Sequence, residues 1–298
     1  MKIVFYILSL IFIFFFSGCD NKEEYKIESQ DFNKHIYIFG IHPYLNSQHM
    51  YNVYEPIMRY LEKKVPNAKF FLETSNDYAH YEQKLYVGHF DFALPNPYQT
   101  IKSLKIGYNV VAKMYPDEVF RGIIVSRIDN KIDNFEQLKG KKVSFPAKTD
   151  LAASMMPLMF LHENGINVNK DITKNFVGSQ YSSIMNAYTK DSIVAATWPP
   201  PWHGWCMENP EKAKEMKVVW QTDHLVNNSV IVKSGVEESI SISVANVLAN
   251  MRFDEEGIKL LKNAGFEGFE LATNQNYDKV KIFLDKYEKL FGLPEHEN

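Results

Sequence analysis

Past residue 34 the chain alternates short apolar runs with stretches in which apolar residues recur every three or four positions. Ile36-Tyr37-Ile38-Phe39-Gly40-Ile41 is a continuous apolar run, the pattern of a strand buried on both faces. Met50, Val53, Tyr54, Ile57, Met58 and Leu61 then fall on one face of a helix. Phe70-Phe71-Leu72 predicts a second strand and Tyr78 to Tyr86 a second helix, with Gly88 suited to its C-terminal stop. Phe90 to Leu94 predicts a third strand. Strand–helix–strand–helix–strand implies a parallel sheet with right-handed crossovers.

A second set follows. Gly122-Ile123-Ile124-Val125, Val143-Ser144-Phe145 and Ile193-Val194-Ala195-Ala196 read as strands, and so do Val218-Val219-Trp220 and Val230-Ile231-Val232. Leu151 to Asn164 predicts a helix with Gly165 just past its end, and Ser182 to Tyr188 another. Ser243 to Met251, Glu255 to Lys262 and Tyr277 to Leu290 are helical. The expected fold class is α/β. In such folds ligands sit beyond the carboxyl ends of the strands, which directs attention to the strand-to-helix loops.

The first residues carry a different pattern. Lys2 precedes Ile3 to Phe16, a run that is apolar except for Ser9. It is shorter than the roughly 20 residues a spanning helix needs and suits the core of a secretory signal. The segment Phe16-Ser17-Gly18-Cys19 resembles the lipobox of bacterial lipoproteins. That resemblance implies a signal peptide over 1–18, acylation at Cys19, and a membrane tether over 19–34. The alternative is an uncleaved anchor with an incidental cysteine. Several acyl chains on Cys19 would hold the protein firmly at a membrane.

Composition narrows the class. Hydrophobic residues make up 45% and charged residues 23%, as in a globular chain, and a net charge of −3 gives no reason to expect nucleic acid. There are two cysteines, so acylation of Cys19 leaves Cys206 without a disulfide partner. Cys206 is then either a small buried hydrophobe or a ligand contact. There is no Gly-x-Ser-x-Gly elbow, phosphate-binding P-loop or dinucleotide glycine pattern, and His162-Glu163 lacks the second histidine of a zinc-protease motif. His203 and Cys206 alone do not make a metal site. Neither an enzyme nor a cofactor is expected.

Several loops together carry a family likeness: Phe39-Gly40-Ile41, Asn76-Asp77-Tyr78, Gly88-His89-Phe90-Asp91-Phe92-Ala93, Asn96-Pro97-Tyr98, Arg121-Gly122-Ile123-Ile124-Val125, Leu138-Lys139-Gly140-Lys141-Lys142-Val143 and Lys217-Val218-Val219-Trp220. In order and spacing, from about residue 35 to 265, they resemble the phosphate/phosphite/phosphonate family of ABC-transporter solute-binding proteins. The resemblance implies a two-lobed, type II periplasmic-binding fold. Each lobe would be a mostly parallel sheet flanked by helices. Lobe one would comprise 35–116 plus 225–298 and lobe two 117–224, with the ligand in the cleft between them. It implies an extracytoplasmic, periplasmic receptor, monomeric, that binds a small oxyanion or organic solute and delivers it to an ABC permease. A ligand sensor for a membrane histidine kinase is the alternative use of the same fold.

The resemblance also places candidate contacts. Tyr78 and Tyr98 lie in strand-to-helix loops, where they either meet ligand or pack. Ser179 and Gln180 follow Phe176-Val177, where the family offers a polar contact. Ala147-Lys148-Thr149-Asp150-Leu151-Ala152-Ala153 stands where the family has a Ser-Thr-Ser-Gly run that holds an oxyanion at a helix N-terminus. The hydroxyls are replaced and a carboxylate, Asp150, has appeared. Asp150 suits a helix cap, and it opposes a doubly charged phosphonate in either case. Thr149 and Lys148 could restore some anion binding. Thr197-Trp198-Pro199-Pro200-Pro201-Trp202-His203-Gly204-Trp205-Cys206 follows a strand as an expected loop. Trp198 and Trp202 either line the cleft or pack the lobes together.

Overall fold

A computed structural model describes residues 34–294. The expected signal peptide, the acylated Cys19 and the tether through residue 33 lie outside the described residues. No helix among the described residues is long and apolar enough to cross a membrane.

The apolar run at residue 36 forms β1 (His35–Ile41), with Tyr37, Phe39 and Ile41 buried. Asn46 caps α1 (Ser47–Lys64), whose stripe from Met50 to Leu61 is buried as its spacing predicts. The chain continues through β2 (Ala68–Glu73), α2 (Tyr78–Tyr86), β3 (Phe92–Leu94), α3 (Pro97–Leu104) and β4 (Tyr108–Tyr115). A second run then gives β5 (Arg121–Arg127), β6 (Lys141–Phe145), a wide turn over Leu151–Met155 leading into α4 (Met156–Glu163), β7 (Ile172–Phe176), α5 (Gln180–Tyr188), β8 (Val194–Thr197), α6 (Pro199–Glu208), α7 (Pro210–Ala213) and β9 (Met216–His224). The last stretch holds β10 (Ser229–Lys233), α8 (Glu238–Asn250), α9 (Glu255–Ala264), β11 (Gly268–Leu271) and α10 (Asp278–Phe291).

The strands assemble into two sheets, ordered β11-β4-β10-β3-β1-β2 and β7-β6-β8-β5-β9. In the first, β1 to β4 run one way and β10 and β11 the other. In the second, β6 to β9 run one way against β5. Most strands of each sheet thus run one way, but the sheets are mixed rather than mostly parallel in their pairing, because β10, β11 and β5 lie antiparallel to their neighbours. The chain leaves the first sheet through 116–120 and returns through 225–228. These passages are tied together: Leu225 N–H bonds the Phe120 carbonyl at 3.0 Å, and Asn227 bonds Asp117 and the Pro116 carbonyl, each at 2.9 Å.

The main apolar cluster runs from the first sheet through Phe120 and Trp198 into the second. A smaller one, including Ile123, Val125, Ala195 and Trp205, covers the other face of the second sheet. Strand alternation sends Ile124 into the first cluster and its neighbours Ile123 and Val125 into the second.

Candidate functional site

The strand-to-helix loops after β1, β2, β3, β6, β7 and β8 supply the polar groups between the sheets, as expected of α/β topology. Their centre is the loop after β6. Asp150 caps the turn that follows, its Oδ1 accepting from the Ala153 N–H at 2.8 Å. That turn is widened: the Met156 N–H bonds back to the Leu151 carbonyl, five residues away. Pro157 has no N–H for the Ala153 carbonyl and its ring crowds that carbonyl, and a wider turn relieves both. Gly122 on β5 permits the close approach, since a Cβ there would lie 2.6 Å from the Ala152 carbonyl oxygen and 2.8 Å from the Pro157 ring.

Asp150 is buried, and its second oxygen is met from both sheets. Tyr78, the first residue of α2, donates its hydroxyl to Oδ2 at 2.6 Å. Gln180, the first residue of α5, donates its amide to the same oxygen. Thr197 at the end of β8 donates to Gln180 Oε1 at 2.8 Å, which fixes the amide with its NH2 toward Asp150. Burial pushes the Asp150 carboxyl up to about 6, although hydrogen bonds from Tyr78, the Ala153 N–H and Gln180 pull the other way. Burial and the Asp150 charge hold the Tyr78 phenol well above its ordinary value, so Tyr78 is the donor.

Two further groups support this centre. His42, after β1, packs its ring 6.2 Å from that of Tyr78. It donates from Nδ1 to the Leu94 carbonyl at 2.8 Å, and burial drives the imidazole down to about 4, so it is neutral. Asn96 caps α3 and donates from its amide to the Thr149 carbonyl at 3.1 Å, a second bond between the sheets.

Beside these groups lies a cavity of about 360 Å³. Asp77, Tyr78 and Glu82 line it from the first sheet's side, and Lys148, Thr149 and Phe176 from the second's. Lys148 Nζ lies 5.9 Å from the Phe176 ring centre. Polar hydrogen-bonding groups, one aromatic face and charges of both signs suit a small polar solute.

The family model for periplasmic substrate-binding proteins of phosphonate ABC transporters matches residues 39–277. The chain belongs to this family. Solved structures agree in fold. A binding component of a phosphonate ABC transporter from Pseudomonas aeruginosa superposes with a TM-score of 0.78 at 14% identity, covering 86% of this chain and 88% of that one. A binding protein from Prochlorococcus marinus, solved with methylphosphonate, gives 0.77 at 16% identity over 85% and 98%. The periplasmic aliphatic sulphonate-binding protein of Escherichia coli gives 0.58 at 15% identity over 88% and 89%. At such identities the likeness is one of fold. Membership makes the chain a solute-binding protein of extracytoplasmic type.

Within this family fold the expected contacts divide. Tyr78, Asp150 and Gln180 come together, and Thr149 lines the cavity beside them. Ser179 caps α5, accepting from the Ser182 N–H at 3.1 Å. Trp198 is buried between Tyr44 at 5.5 Å and Phe120 at 5.6 Å, where it packs rather than faces the cavity. Tyr98 takes the packing alternative. Asn96 and Pro97 start α3, which turns position 98 into the core, where its hydroxyl donates to the Pro294 carbonyl at 3.2 Å. Trp202 stacks on Trp205 at 5.6 Å, over the smaller cluster on the second sheet's other face. Cys206 packs in the same cluster, and burial raises its thiol. The stretch from Pro199 is helix α6 rather than a loop, because prolines are tolerated in a first turn whose N–H groups have no helical partners. Asn96 and Thr197 join the site without being singled out by the sequence pattern. Asn96-Pro97 is a helix-start signal, and Thr197 ends a strand, so each carried a positional cue.

Proposed function

We propose that this protein is the lipid-anchored receptor of an ABC importer, tethered through Cys19 on the periplasmic side of a membrane. It takes one small solute into the cavity between its two sheets. Residues 35–116 with 225–298 act as one lobe and 117–224 as the other, and they close on the solute about the two passages near 116–120 and 225–228. Tyr78, Thr149, Asp150 and Gln180 form the binding wall, with Ser179 fixing the start of α5. The observation that carries the proposal is the bond from Tyr78 to Asp150, which joins loops of both sheets at the cavity's edge. Closure that makes such bonds can report a bound solute to a membrane partner.

Thermal-shift screening of the full-length, detergent-solubilised protein against oxyanions, amines and zwitterions tests this. A binder of the folded state raises the melting temperature. Co-purification from membranes with a permease rather than a histidine kinase is the expected partner result. A screen in which no solute moves the melting temperature would count against the receptor role, and recovery of a kinase would favour the sensor. Cys19→Ser should release the protein from the membrane fraction, and continued membrane retention would remove the lipid anchor from the proposal.

A further inference from the structure

The donors that converge beside the cavity are already engaged. Asp150 Oδ1 takes the Ala153 N–H, and Oδ2 takes the Tyr78 hydroxyl and the Gln180 amide. They come from three separate segments, and Thr197 orients one of them. Donors arranged around a buried point from several directions are what an anion requires. Here the anion belongs to the chain itself.

We propose that Asp150 is a resident anion: its carboxylate occupies the position in which these donors would hold a ligand's oxyanion, so the native solute of this protein lacks a phosphonate-type head. This rests on the receptor reading above and specifies its solute class. A dianionic head entering the cavity meets donors whose hydrogens are already directed at Asp150, and it meets the charge of that carboxylate. It must either displace the side chain from its cap or leave its own oxygens poorly bonded, and both disfavour binding. The rest of the cavity wall, where the solute is selected, is built from the Phe176 face, Lys148, Thr149 and Glu82, whose carboxylate accepts from Gln99. Asp150 thereby acts as a specificity-determining residue whose effect is exclusion.

The proposal makes a gain-of-binding test possible. Serine is as good a helix cap as aspartate and carries no charge, so Asp150→Ser should fold while freeing Tyr78 and Gln180. Asp150→Asn is the second variant, nearly isosteric and neutral. Methylphosphonate is titrated calorimetrically into full-length wild type and both variants at pH 7.5, with folding checked by a cooperative melt. The expected result is no measurable heat with wild type up to millimolar ligand, and an affinity at least 100-fold tighter in Asp150→Ser. Micromolar binding by wild type would overturn the proposal. So would folded Asp150→Ser and Asp150→Asn proteins that both fail to bind, because the donors would then not form an anion position. The outcome is separable from the receptor role: a wild type that no solute stabilises counts against that role, while the comparison of variants still decides what Asp150 does.

Discussion

Replacing Asp150 by Asn should change how stability depends on pH, and the structure fixes sign and size. In the folded protein the Asp150 carboxyl is raised from 3.8 to about 6. Between those values the folded state holds a proton that the unfolded chain has lost, so stability falls as pH rises through this window. A shift of about two units corresponds to about 3 kcal/mol, fully present below pH 4 and gone above pH 6. His42 acts with the opposite sign. Its imidazole is lowered from 6.5 to about 4, so the unfolded chain binds the extra proton and stability rises with pH across the same range, by about 3 kcal/mol. The two nearly cancel in the wild type. Asp150→Asn keeps a cap for the Ala153 N–H and removes one of the opposing slopes. Urea unfolding at pH 4 and pH 7.5 measures this. The variant should gain about 3 kcal/mol over wild type on going from the lower to the higher pH, with all shared titrations cancelling in the difference. A difference that stays constant within about 1 kcal/mol would refute the claim that a buried, costly carboxylate sits at this position.

Other perturbations have equally definite outcomes. His42→Asn, which keeps a donor toward the Leu94 carbonyl, should make stability fall rather than hold level between pH 4 and 6.5, checked by the same urea series. Tyr78→Phe removes the donor to Asp150 and should cost about 2 kcal/mol at pH 7.5 and less at pH 4, where the acceptor is neutral; an equal loss at both would mean the bond is not made to a charged group. Gly122→Ala places a methyl within 2.6 Å of the Ala152 carbonyl oxygen and should lower stability by about 1–3 kcal/mol in a thermal or urea melt, while disturbing the Asp150 loop. Trp198→Ala opens a hole between Tyr44 and Phe120 and should cost about 3–5 kcal/mol, far more than Trp202→Ala on the half-buried outer face, measured by urea midpoints.

The elements readable from sequence are those whose pattern is set by burial alone. The stripe of α1 and the runs of β5 and β8 are apolar because they pack, and periodicity detects that, whereas β1 starts with Ile36 exposed and is buried from Tyr37 on. The pattern does not mark β4, whose sequence carries Lys113 inside the run. Lys113 is buried but pairs with Asp117 and Glu270, the latter on β11, and such pairing joins residues far apart in the chain. The three prolines at the start of α6 suggest a break and hence a loop, although a helix's first turn accepts them. In the candidate site, Asp150 was legible as a cap from its place before Leu151. Its bonds were not, since Tyr78 lies 72 residues away and Gln180 30, and only the meeting of two sheets brings them within reach.

The energetics of Asp150 also bear on why aspartate stands there. Serine or asparagine would cap the same turn about as well. Aspartate adds an interaction with the helix dipole and stronger hydrogen bonds from Tyr78 and Gln180. Both favour the charged form and would by themselves hold the carboxyl below its ordinary value. It is raised instead, so burial outweighs dipole and bonds together. A neutral cap would avoid that cost of about 3 kcal/mol at neutral pH. Asp150 therefore caps its turn at a net electrostatic cost that a neutral cap would avoid, as the exclusion role proposed for it requires.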